Sequence, residues 1–246
     1  MNPNIANLIL FIISFIAGLL AMRFTLVENK KMNLLLAFSG SFLLSITLVH
    51  LIPETIEESG HKAGMYILIG FFLQFFIQRF THGIEHGHAH FHHTEHQHQF
   101  PLFSILIGLC VHALMEGFPL GFNYRMPHTD SSLYWAVALH KLPEIVIVAT
   151  MLKSAYGFGF KSLSLLILFA LLTPLASVLA IFLGEKYFAV NHLLSAVIPM
   201  VAGAFIHIGT TILYESGTKQ HTHSWPKLLA FILGFALGAT GLLGHA

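Results

Sequence analysis

Charge is scarce in this chain: Asp, Glu, Lys and Arg make up 9% of its 246 residues, against roughly 25% in soluble domains. Hydrophobic residues make up 55% and the mean hydropathy is +0.74, which excludes a water-exposed globule and implies an integral membrane protein. The formal net charge of +1 leaves no basic field, so nucleic acid is not an expected partner. Cysteine is limited to Cys110, which excludes an intramolecular disulfide and a thiolate-cluster metal site. In its apolar run, that residue reads as a small hydrophobe. Nothing resembles a glycine-rich nucleotide-binding loop, so this chain alone does not read as an ATP-driven pump.

What is abundant is apolar sequence in runs of membrane length. A spanning helix needs about 20 mostly apolar residues, and polar breaks divide the chain into eight such runs. They cover 4–26, 34–53, 63–80, 101–123, 132–153, 161–183, 190–214 and 226–244. The first has no small-residue cleavage site and crosses a full bilayer, so it reads as a retained helix. Only the link after the third run is long. The expected architecture is therefore all-α: eight transmembrane helices in one bundle, with residues 81–100 as a separate loop.

Lys and Arg accumulate in loops that stay in the cytoplasm. Arg23, Lys30, Lys31, Arg79, Lys153, Lys161, Lys219 and Lys227 fall on one side; Lys62, Arg125 and Lys186 fall on the other. Both termini are thus expected outside. The outer side also carries Glu54, Glu57 and Glu58, with Asp130 and Glu185, an acidic rim that would gather cations. Residues 81–100, THGIEHGHAHFHHTEHQHQF, face the cytoplasm on this reading. His86, His88, His90, His92 and His93 lie at the centre of that loop, and neutral imidazoles ligate zinc, copper, nickel and iron. His82, Glu85 and His86 also spell an inverted zinc-peptidase signature. At this histidine density it reads as coincidence, and Gly83 and Gly87 weaken a helix there.

Two apolar runs each contain a histidine and a glutamate one helical turn apart: His112 with Glu116, and His140 with Glu144. Ionisable groups at membrane depth face the protein interior and mark ion paths or proton relays. Positions i and i+4 share a helical face, so two such helices side by side would aim two imidazoles and two carboxylates at one point. That donor set suits Zn²⁺ and also accepts Cd²⁺, Fe²⁺, Mn²⁺, Co²⁺ or Ni²⁺. A single His/Glu pair would read as an interhelical hydrogen bond; the repeat of the spacing favours a metal. Protons compete for the same imidazoles, which titrate near pH 6.5, so acid should weaken binding. Pro143, Gly117, Pro119 and Gly121 add backbone irregularity and close approach beside the pairs.

These motifs resemble the ZIP family of divalent metal transporters. HLIPE at His50 to Glu54 is similar to the close of the family's second helix, HALMEG at His112 to Gly117 to its fourth, HKLPE at His140 to Glu144 to its fifth, and GAFIHIGTTILYES to its seventh. The resemblance implies import of divalent transition metals, chiefly Zn²⁺, across the cell membrane by a multi-pass protein with outside termini. It also implies helices grouped as three, two and three, the outer triplets forming an inverted repeat. Metal is then the transported substrate and no catalytic cofactor is expected.

The chain departs from the family where a second metal often binds. Ala113 stands in place of Asn, Lys141 in place of a carboxylate and Thr173 in place of Glu. A buried Lys141 ammonium near Glu116 and Glu144 would take the place of the second cation, leaving one transported ion. Glu54 and Glu57 would line the outer approach. Apolar outer faces fit lipid or a homodimer. From another class, an intramembrane zinc-dependent hydrolase would use the same His and Glu residues to activate water on a fixed metal.

Overall fold

The computed structural model describes residues 2–24, 29–81, 102–121, 130–218 and 225–240, and these are helical apart from short turns. Helix α1 spans Pro3–Arg23, with the Asn2 side chain accepting from the Asn4 amide and Pro3 supplying a first-turn position that needs no donor. Helix α2 spans Asn29–Ile46 and continues through a wider π turn, Thr47–Leu51, into α3, Ile52–Ser59. Pro53 accounts for that turn. It has no amide to offer the carbonyl four residues back, and the Ile52 amide instead reaches Thr47. Gly60 then ends α3 at φ +60°, a conformation that disfavours side chains with a Cβ.

The remaining helices are α4 (Lys62–Thr81), α5 (Leu102–Gly121), α6 (Asp130–Tyr156), α7 (Phe160–Lys186), α8 (Phe188–Thr218) and α9 (Trp225–Thr240). Among the described residues, seven helical runs are long and apolar enough to cross a bilayer, counting α2, the π turn and α3 together; α9 is apolar but shorter. Large apolar side chains point outward throughout. On α4 alone, Phe72, Phe75, Phe76 and Phe80 are exposed, the pattern of a surface solvated by lipid tails.

Lipid is as apolar as leucine, so close packing and polar ties hold the helices together. Small residues make the closest crossings. A Cβ on Gly70 would overlap the Met200 carbonyl, and one on Gly203 the Ile67 carbonyl, so α4 and α8 touch backbone to backbone. Gly117 and Gly121 lie in the same way against Thr173 and Ser177 of α7, while Gly234 and Gly238 bring α9 onto Ser41, Phe42 and Ser45 of α2. Polar ties reinforce this: Asn7 donates to Ser177 at 3.0 Å and accepts from Tyr134 at 3.3 Å, linking α1, α7 and α6. His50, at the π turn, donates to the Gly238 carbonyl of α9 at 3.0 Å.

The helices fall into two groups. Helix α1 runs along α6 and α7, and α5 along α7; α2 runs along α9 and α8, and α4 along α8. The first group has its own core, in which Met22, Leu109, Ala113, Ile145, Val148, Leu152 and Leu166 are buried together. The groups meet chiefly where α2 touches α6 and α4 touches α5, and also where α8 touches α5 and α7. The two His/Glu pairs lie within the first group, on α5 and α6.

Candidate metal centre

The position of α5 is set by its glycine contacts with α7 and by Thr173, whose hydroxyl donates to the Ala113 carbonyl at 2.9 Å. A β-carbon at 117 or 121 would push α5 outward and carry His112 and Glu116 with it. On α6 the helix continues through Pro143, and His140, Lys141 and Glu144 occupy its buried side. All five ionisable side chains are at most 1% exposed, so whatever they interact with lies inside the protein.

Glu116 is the centre of the cluster, and its two oxygens face different partners. Oε1 lies 3.3 Å from His112 Nε2 and 3.7 Å from His140 Nε2. Oε2 accepts from Lys141 Nζ at 2.8 Å. The two imidazoles stand edge to face, with ring centroids 5.9 Å apart. His112, Glu116 and His140 each offer one ligand atom, and those atoms all lie within 4.8 Å of one another. Donors about 2.0 to 2.1 Å from a tetrahedral ion are separated by about 3.3 Å, so small side-chain shifts fit these three around one cation.

Hydrogen bonding does not account for the cluster. His112 Nε2, Glu116 Oε1, both ring nitrogens of His140 and Glu144 Oε1 are buried without a hydrogen-bond partner among the described residues. Buried polar atoms are nearly always matched. Converging unmatched nitrogen and oxygen donors are the arrangement a cation would satisfy.

Glu144 is buried on the same side of α6 but is not among the three residues whose ligand atoms lie within 4.8 Å of one another. Its Oε2 forms an ion pair with Lys141 Nζ at 2.7 Å, and the carboxylate stands outside the three-donor group. Lys141 thus joins α5 to α6 through both carboxylates, and its ammonium also lies 4.8 Å from the centre of the Phe169 ring. The structure therefore gathers three of the four anticipated ligands directly and connects the fourth through the ammonium.

Glu54 and Glu57 are on α3, outside this cluster, with Glu57 exposed. His86, His88, His90, His92 and His93 lie outside the described residues. On α8, His207 Nε2 is 2.6 Å from Gln78 Oε1 and has Phe71 and Phe75 edge-on around its ring. Gln74 on α4 is also fully buried, and both its amide atoms are unmatched among the described residues. No motif surrounds it; the sequence signal is an amide in a mostly apolar run that also holds Gln78 and Arg79.

The family model described as ZIP Zinc transporter matches residues 4–101 and 85–242. Together these ranges take in all the described helices except the first residue of α1. No curated protein matches the sequence.

Proposed function

Because the chain belongs to the ZIP zinc transporter family, a family of metal ion transporters, we propose that it carries Zn²⁺ and related divalent ions toward the cytoplasm through the buried centre on α5 and α6. The observation that carries this reading is the convergence of ligand atoms of His112, Glu116 and His140 within 4.8 Å of one another, fully buried in two apolar helices, with His112 Nε2, Glu116 Oε1 and both His140 ring nitrogens unmatched by hydrogen bonds among the described residues. Ionisable groups in that setting mark ion paths. The test is Zn²⁺ uptake into proteoliposomes. Wild-type protein should give flux, and the double variant Glu116→Ala, Glu144→Ala should give none; full activity in the double variant would rule this site out.

One ion is carried at a time. Lys141 stands between the two carboxylates, where a second cation would otherwise balance them. Ala113 and Thr173 supply no charged donor, and the Thr173 hydroxyl is already donated to a backbone carbonyl. Glu144 acts on the transported ion through Lys141 or after exchanging partners with it.

The helix pairing supports a three, two, three arrangement with an inverted repeat. Exchange of α1 with α7, α2 with α8, α4 with α9 and α5 with α6 turns the α1–α6 pairing into α7–α5, and the α2–α9 pairing into α8–α4. In that arrangement the centre lies between the two middle helices, as midplane sites do in repeat-built transporters. The protein sits in the cell membrane with both termini outside. Glu54 and Glu57 gather cations at the outer rim, and the histidines of residues 81–100 accept them inside. Reconstitution in vesicles of defined orientation tests the direction.

A further inference from the structure

Phe169 of α7 is buried among apolar side chains that include Leu109, Ala113, Val148 and Leu166. As a hydrophobe, leucine would suit such surroundings equally well. What leucine lacks is an aromatic face, and the Lys141 ammonium lies over that face, 4.8 Å from the ring centre. The face of a ring carries negative potential and attracts a cation, most strongly where water is excluded. Lys141 is buried as well, at 1% exposed.

The ring begins a chain of contacts that ends at the metal centre. Lys141 holds Glu116 Oε2 at 2.8 Å. With that oxygen occupied, Glu116 Oε1 is left 3.3 Å from His112 Nε2 and 3.7 Å from His140 Nε2, and it has no hydrogen-bond partner among the described residues. Lysine carries its charge as a point on a flexible stem, so its own geometry does not fix where the ammonium rests. Glu144 draws it from α6 at 2.7 Å, and the Phe169 ring draws it from α7. Phe169 also shares a face of α7 with Thr173, one turn on, whose hydroxyl donates to the Ala113 carbonyl of α5. Two successive turns of α7 thus meet the lysine of α6 and the backbone of α5.

We propose that Phe169 is a positioning residue of the centre: its ring face holds the Lys141 ammonium where it ties Glu116 Oε2, so that Oε1 stays turned toward the two imidazoles and the transported ion. The inference rests on the transport reading above and gives α7 a part in ion binding without a ligand of its own.

Ring fluorination tests this, because mono-, di- and trifluoro analogues of Phe169 weaken the negative face in steps while nearly keeping its shape. Full-length protein in detergent is used, with Co²⁺ as the probe. Co²⁺ affinity should fall with each fluorine, by about 5-fold or more over the series, and the metal-free melting temperature should fall with it. A ring that only packs becomes more apolar on fluorination and keeps or raises the melting point. In a Lys141→Met background the series should be flat. A flat series in the wild-type background, or equal slopes in both backgrounds, overturns this proposal alone. So does a falling melting temperature at constant Co²⁺ affinity, which would leave the ring holding the lysine with no effect on the centre. Wild-type protein that neither binds Co²⁺ nor carries Zn²⁺ removes the transport reading, and this inference with it.

Discussion

The Lys141 ammonium lies 2.8 Å from Glu116 and 2.7 Å from Glu144, so one side chain bridges two buried carboxylates on different helices. Removing one member of a buried ion pair costs about 3 to 5 kcal/mol, because the remaining charge has neither water nor partner. Lys141→Met should therefore lower the metal-free melting temperature clearly. Zn²⁺ should then raise the melting point of the variant more than that of wild type, since a cation that binds only the folded state restores the missing charge. Thermal melts with and without Zn²⁺ measure both effects. Equal metal-free melting points would show that the lysine does not hold the carboxylates.

Lys141→Asp makes the opposite change, replacing the tethered cation by a ligand. With that new carboxylate beside Glu116 and Glu144, a second divalent ion has three carboxylates to bind, and the stoichiometry found by calorimetry should rise by one ion per chain. An unchanged stoichiometry would count against a second-cation position at Lys141.

Glu116 and Glu144 have identical spacing from their histidines but should not be equivalent in transport. Glu116 faces both imidazoles and the ammonium; Glu144 faces the ammonium. Glu116→Ala should abolish Zn²⁺ flux. Glu144→Ala, which removes a partner of Lys141, should reduce flux by roughly 10- to 100-fold, as loss of an outer supporting group does. Equal residual flux in the two variants would contradict this division.

The difference between these glutamates shows where sequence reading stops. At about 100° per residue, Glu144 lies about 40° from His140 and about 60° from Lys141 around the helix. Spacing alone leaves it between a metal ligand and a salt bridge, and only the side-chain arrangement separates the two. The apolar runs are easier to read, because length and hydropathy are local properties, and among the described residues each run holds a long helix. The π turn at Thr47–Leu51 is explained by Pro53 once seen but not legible from it beforehand, since a proline can also kink a helix. Helix pairing is harder still. Apolar faces look alike in lipid, and the crossings depend on single glycines such as Gly70 and Gly203 whose partners lie far away in sequence. Gln74 has no motif at all; its burial becomes visible only when α4 is placed against α5 and α8.

Gly117 links packing to the centre most directly, because it follows Glu116 in sequence. A β-carbon there would run into the Thr173 backbone carbonyl and the Ala176 methyl of α7. Gly117→Ala must therefore move α5 away from α7, and overpacking of this kind costs about 1 to 3 kcal/mol. The displaced helix carries Glu116 away from His140, so metal affinity and flux should fall together with the melting temperature. Gly64→Ala is the control: nothing lies within 4 Å of the added carbon, and both quantities should stay at or above wild type. Because the Gly117 obstacle includes backbone, Ala176→Gly should not rescue the variant. Full rescue by Ala176→Gly would mean that side-chain crowding alone sets the separation of α5 and α7.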